Sequence, residues 1–249
     1  MSPAAMTEQV GKTSPRLRAR VAGLFELLEA LTSGFGQVII PGMLIVSGNA
    51  AATAANILAH GPLFRFSILA ALLGVACHIA WTYLFYELFK PVNRNLSLLA
   101  VCFSLVGIAL QAVSSAIQAA PLFLQGGPAF AAFNAQQVET LAFVFLRLNA
   151  RVFETYLVFF GFWCVLTGYL IFKSTFMPRI LGLLEALAGL CWLTFIWPPL
   201  AHYLSPYNQL VAGLGEISLM LWLLVMGVNA ERWKEQASAA AEWRLENGR

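Results

Sequence analysis

The chain contains no aspartate, so all 12 of its acidic side chains are glutamate. That excludes a Ser–His–Asp triad, and only a glutamate-bearing version could stand in for it. Charge of either sign is scarce, at 11% of 249 residues, where soluble domains run near 25%. No basic stripe with interleaved aromatics is present, which argues against nucleic acid as a partner. The four cysteines, Cys77, Cys102, Cys164 and Cys191, make no CxxC pair. A zinc knuckle or dithiol redox motif is therefore absent, and their apolar surroundings mark them as small packing residues. GxSxG, HExxH and P-loop motifs are missing as well. The histidines are His60, His78 and His202, too few and too scattered for bis-histidine haem or a metal set. Neither a cofactor nor a metal is expected.

What is abundant is hydrophobic length. Hydrophobic residues make up 59% of the chain and the mean hydropathy is +0.74, values that belong to a multi-span membrane protein. Six apolar runs of about 20 residues or more are expected to cross the bilayer, at about 21–46, 63–89, 96–122, 141–172, 180–197 and 210–228. The small-residue connection at 47–62 has room for a short interfacial helix. Gly126-Gly127-Pro128 breaks any helix between the third and fourth spans, and residues 129–139 are able to re-form one. The fold class is thus all-α, a polytopic transmembrane bundle. Residues 1–20 form an N-terminal tail, 21–229 the six-span domain, and 230–249 a C-terminal tail read as a helix. The basic N-terminal region leads into a run interrupted by Glu26 and Glu29, so a cleaved signal peptide is not expected. Every Lys and Arg except Arg65, Arg147 and Arg151 falls in a tail or in the turns near 90–94 and 173–179. By the positive-inside rule, both termini are then cytoplasmic.

The polar residues inside the spans are the candidates for function. The run Phe143-Val-Phe-Leu-Arg-Leu-Asn-Ala-Arg-Val-Phe-Glu-Thr-Tyr156 carries Arg147, Arg151 and Glu154 within an apolar stretch, where charge is costly unless paired, interfacial or functional. Counting back from Lys173 at the helical rise, Glu154 lies roughly 28 Å up, near the far edge of a ~30 Å core. The two arginines above it are expected to snorkel, with Arg151 and Glu154 able to pair at i, i+3. Glu216 lies deeper, roughly 22 Å from the Glu231–Arg232 end. It is flanked by Gly213 and Gly215, which let a helix or ligand approach, and its expected partner is Arg151, with Arg65 and Arg147 at similar depth. His78 sits near mid-membrane, where a neutral imidazole hydrogen-bonded across helices is the plain expectation. Glu29 and Glu26 form one acidic face that Ser33 and Gln37 extend at fourfold spacing. Glu87 and Glu185 are expected to pair with nearby basic residues, and Trp197, Tyr203 and Tyr207 to anchor span ends.

Six short runs carry a resemblance. They are Ala51-Ala-Thr-Ala-Ala-Asn-Ile57, Leu63-Phe-Arg-Phe-Ser-Ile68, Phe89-Lys-Pro-Val-Asn-Arg-Asn-Leu-Ser-Leu98, Gly168-Tyr-Leu-Ile-Phe-Lys-Ser174, Pro178-Arg-Ile-Leu-Gly182 and Gly215-Glu-Ile-Ser-Leu219. In order and spacing the chain resembles, over roughly residues 20–230, the bacterial membrane family catalogued as domain of unknown function 4386. The resemblance implies a multi-pass protein of a bacterial inner membrane with no established activity. Departures from that family's pattern fall at His78, where relatives carry an acid, at Arg147-Leu-Asn149, where they carry Asp-x-His, and at Trp163, where they carry His.

Three functional classes remain. The first is a non-catalytic bundle that binds or moves a small or amphipathic molecule in an outward-facing polar pocket, and it is favoured because no nucleophile–base set is present. The second is an intramembrane lipid-modifying enzyme using His78 or Glu216 as acid or base. The third is a structural or assembly protein without ligand. No similarity between 20–120 and 140–230 suggests the inverted repeats common in transporters. The lipid bilayer is the one firm partner.

Overall fold

The computed structural model describes residues 14–124 and 132–247. The tail up to residue 13 and the Gly126-Gly127-Pro128 break lie outside the described residues. Those described are helical with short connections and no strand. Six helices among them are long and apolar enough to cross a membrane: α1 (Pro15–Leu44), α2 (Gly61–Phe89), α3 (Arg94–Leu124), α4 (Ala135–Lys173), α5 (Arg179–Ile196) and α6 (Tyr207–Val225). A further helix, α7 (Ala230–Asn247), is polar and forms the C-terminal tail.

The expected spans are all present, and the boundaries differ where polar residues take part in helix ends. α1 starts at Pro15, ahead of the apolar run. Its Arg16 Nε donates to the Met226 carbonyl at 3.2 Å and its Arg20 Nη2 to the Val225 carbonyl at 2.8 Å. These arginines satisfy carbonyls at the end of α6, which the helix itself leaves open. α4 starts at Ala135 because Asn134 and Gln137 form a reciprocal capping box. The Gln137 amide donates to Asn134 Oδ1, and the Asn134 amide donates to Gln137 Oε1, both at 2.9 Å. Between α1 and α2 the small-residue connection does hold a helix, Ala50–Ala59, capped by Asn49 Oδ1 accepting from the Ala52 amide at 2.9 Å.

The described residues fall into two compact units. Unit 1 takes in the chain up to Glu26, Ala80–Ser104 and the chain from Val158 onward, and unit 2 takes in Leu27–Ile79 and Leu105–Leu157.

Unit 1 is built on rings and close backbone contacts. Trp81 and Trp163 meet edge to face at 4.6 Å, Phe85 lies 5.2 Å from Trp163, and Phe160 stacks on Trp163 at 5.6 Å. α4 and α5 touch through glycine: a Cβ on Gly168 would lie 2.6 Å from both the Gly182 carbonyl oxygen and the Ala186 nitrogen. Gly215 brings α6 equally close to the Leu184 carbonyl of α5. Lipid tails are as apolar as the side chains, so such fit, and not burial from water, holds spans together. α7 is seated on the same unit. Trp233 is buried and its Nε1 donates to the Leu88 carbonyl at 2.8 Å, while the Thr175 amide donates to Gln236 Oε1 at 3.0 Å.

Unit 2 has a smaller apolar cluster, Ile40, Leu44, Ile57, Phe64 and Leu146, and a large polar interior. α1 changes character there. Residues Gly34–Ile39 form a π-helical segment, in which the Ile40 amide reaches back to the Phe35 carbonyl. A π segment shifts the register of the helix and leaves carbonyls free, and such segments recur at functional sites.

Candidate functional site

The polar interior of unit 2 is organised by one face of α3. Gln111, Ser114, Ser115 and Gln118 stand at i, i+3, i+4 and i+7, and all four are completely buried. That spacing puts them in a single stripe along the helix. Each meets a polar residue contributed by α1, α2 or α4.

Gln111 lies at the centre. Its Nε2 donates to Glu29 Oε1 and to Ser33 Oγ, both at 3.0 Å, and Ser33 Oγ in turn donates to the same Glu29 oxygen at 2.9 Å. The amide is thereby oriented with its oxygen away from the carboxylate. That oxygen, Oε1, lies 3.2 Å from His78 Nδ1. An amide oxygen only accepts, so the network assigns the proton to Nδ1 of His78. Gln111 thus joins the carboxyl group of Glu29 and the imidazole of His78 through opposite ends of one amide. His78 is completely buried and meets the Tyr156 ring edge to face at 5.9 Å.

One turn along, Asn149 bridges α4 to α3 and α1. Its Nδ2 donates to Ser114 Oγ at 2.7 Å, to the Ser114 carbonyl at 2.8 Å and to Gln37 Oε1 at 3.3 Å. Gln37 Nε2 donates to Ser115 Oγ at 3.1 Å. A further turn along, Gln118 Nε2 donates to the Gly36 carbonyl of the π segment at 2.9 Å and to Ser67 Oγ at 3.0 Å. The Ser67 hydroxyl proton goes to the Phe64 carbonyl at 2.7 Å. Both atoms facing the Gln118 nitrogen therefore accept, which fixes the amide orientation. Its oxygen, Oε1, is buried and has no hydrogen-bond partner. An unmet acceptor of this kind costs about 1–3 kcal/mol.

The residues singled out in the sequence are distributed as follows. Glu29, His78, Ser33 and Gln37 enter the network. Arg151 and Glu154 form an ion pair at 2.6 Å within unit 2, with the guanidinium half exposed. Arg147 and Arg65 are exposed on α4 and α2. Glu216 is half-buried in unit 1 and accepts a hydrogen bond from Trp192 Nε1. Arg151 and Glu216 thus each have a partner in their own unit. Glu87 pairs as expected, with Lys90 at 2.5 Å and Arg18 at 3.3 Å. Glu185 departs from expectation: it is buried, neither oxygen meets hydrogen-bond geometry, and the polar group beside it is the Cys164 thiol. Cys164 is buried as expected, whereas Cys102 is exposed on its span. No group of three or more His, Cys, Asp or Glu that could hold a metal occurs among the described residues.

The stripe on α3 went unread in the sequence, although its signal was present. Gln111-Ala-Val-Ser-Ser-Ala-Ile-Gln118 sets four polar residues at helical spacing inside an apolar span. Asn149 was hidden by its charged neighbours Arg147 and Arg151.

Residues 21–227 match the family described as Domain of unknown function (DUF4386), and the chain belongs to that family. It is a multi-pass membrane protein. No curated protein and no solved structure matches it.

Proposed function

We propose that this DUF4386 member binds or transports a small polar or amphipathic molecule, without converting it chemically, at the amide network of unit 2. The observation that carries the reading is Gln118 Oε1, a buried acceptor left without a donor although the nitrogen of the same amide is bonded. A ligand offering an N–H or O–H group there would supply the missing bond and remove its cost. The neighbouring groups suit such a molecule, because Gln37, Gln111, Gln118 and Asn149 can each both donate and accept. Ionised ligands are disfavoured, since the set holds no lysine or arginine and its one carboxyl group, Glu29, already receives two hydrogen bonds. A lipid-modifying enzyme would need an acid and a base within direct reach, whereas Gln111 stands between Glu29 and His78.

We infer cytoplasmic termini from the charge asymmetry of the turns and tails, and a bacterial inner membrane from the resemblance to a bacterial membrane family. Arg65, Arg147 and the Arg151–Glu154 pair then anchor the outer interface, and Glu216 with Trp192 serves packing.

The test is native mass spectrometry of protein released from nanodiscs, wild type beside Gln118→Met. A defined small adduct in the wild type that is lost in the variant is the expected outcome. A bare mass in both would transfer the weight to a structural role for the network.

A further inference from the structure

A second location, entirely within unit 1, has the makings of a site. The turn from Lys90 to Asn95, which joins α2 to α3, and the residues Ala240, Trp243 and Arg244 of α7 line an open cavity of about 510 Å³. Every charged side chain lining it is basic: Lys90, Arg94 and Arg244. Lys90 is already engaged by Glu87 at 2.5 Å. Arg94 and Arg244 take part in none of the ion pairs among the described residues, which are Arg18–Glu87, Lys90–Glu87 and Arg151–Glu154. Two guanidinium groups, each a planar fork of donors, therefore face one cavity with their charge unspent.

The backbone adds to this charge. Arg94 is the first residue of α3, and Asn93 caps that helix by accepting from the Leu96 amide at 3.0 Å. The amides of Arg94 and Asn95 precede the first intrahelical bonds, so the positive end of the helix dipole opens at the cavity wall. α7 is not free to carry Arg244 away. Its first turns are held to unit 1 by Trp233 on the Leu88 carbonyl and by Gln236 on Thr175.

The surroundings select the kind of anion. The cavity sits at a turn between two membrane spans, hence at a bilayer surface whichever way the chain is inserted. Trp243 and Leu245, both about two-thirds exposed, stand beside it on α7. Exposed tryptophan next to basic residues is the side-chain set found at headgroup level. We propose that this cavity binds the phosphate of an anionic phospholipid headgroup, with Arg94 and Arg244 as the principal contacts and Trp243 at the headgroup–tail boundary. The site clamps α7 to the α2–α3 turn through the lipid, so the tail helix lies on the membrane surface when anionic lipid is present.

The test uses the full chain in phosphatidylcholine nanodiscs with increasing phosphatidylglycerol, and native mass spectrometry reads retained phosphatidylglycerol. A basic side chain at an anionic surface contributes on the order of five-fold in affinity. The double variant Arg94→Gln with Arg244→Gln is therefore expected to bind about thirty-fold more weakly. Arg179→Gln removes a cation that does not line the cavity and so holds none of the lipid bound there, and it is expected to stay within about two-fold. The charge-preserving pair Arg94→Lys with Arg244→Lys guards against misfolding as an explanation, and it is expected to keep most of the retention. Unchanged retention in the glutamine pair overturns the site. Equal loss in the lysine and glutamine pairs overturns the charge-based recognition. Displacement of the lipid by inorganic phosphate at matched concentration overturns the lipid as its source in favour of a soluble phosphate.

Discussion

The two units solve one problem in different ways. Spans in lipid gain nothing from hiding apolar surface, so something else must hold them in register. Unit 1 uses shape, with a ring cluster around Trp81 and Trp163 and glycine contacts at Gly168, Gly182 and Gly215. Unit 2 uses direction, with amides and hydroxyls linking α1, α2, α3 and α4 around Gln111, Asn149 and Gln118. The strengths per contact are comparable: an aromatic pair contributes about 0.5–1.5 kcal/mol and an interhelical hydrogen bond in a membrane about 0.6 kcal/mol. What differs is the supply of alternatives. A ring wedged between rings has one good position, whereas an amide can accept a ligand's polar group in place of a protein partner of the same kind without losing the bond. A region that must admit a ligand therefore profits from hydrogen bonds, and a region that only has to stay put profits from close packing.

The largest expected effect tests the shape-based unit. Gly168→Val would press side-chain atoms on the backbone of Gly182 and Ala186, so α4 and α5 must part. A loss of about 3 kcal/mol is expected in a detergent unfolding titration. The same change at Gly213, which has open space within 4 Å, should cost little. If both behave alike, close backbone packing is not what holds unit 1.

A middle-sized effect belongs to the directional unit. Gln111→Leu removes the bonds to Glu29, Ser33 and His78 together, and a loss of about 1–2 kcal/mol is expected. The Nδ1 proton resonance of His78 should shift in the same variant, as followed by NMR of ring-labelled protein. A resonance that stays in place would remove Gln111 as the link between the two titratable groups.

The smallest effect is expected outside both interiors. Arg151→Gln breaks an ion pair whose guanidinium is half exposed, and under about 0.5 kcal/mol should be lost. A cost as large as that of Gln111→Leu would mean that the arginine run, not the amide network, organises unit 2.

The architecture was readable because hydropathy is a local property of a run. Six spans, the helix in the 47–62 connection and the helical tail all follow from composition over 10 to 30 residues. Span ends were less so, since Arg16 and Arg20 extend α1 only by reaching carbonyls far along the chain. At the candidate site, the Glu29–Ser33–Gln37 face was visible as a fourfold repeat, and His78 as a polar residue at mid-span. Its counterpart on α3 has the same periodicity but lacks charge. Amides and hydroxyls are common in any helix, so without a charge beside them they stand out less in the sequence than Arg147, Arg151 and Glu216 do.

By itself, then, the sequence determined that this is an all-helical, multi-pass chain and roughly where each span runs, because the bilayer imposes one length and one polarity on every crossing segment. Tertiary structure alone decided which polar residues meet. A hydrogen bond needs two groups within about 3 Å, and residues 82 positions apart, such as Glu29 and Gln111, satisfy that only once helices are packed. The same packing left Gln118 Oε1 without a donor and gathered Arg94 and Arg244 at one cavity, neither of which any local pattern could announce.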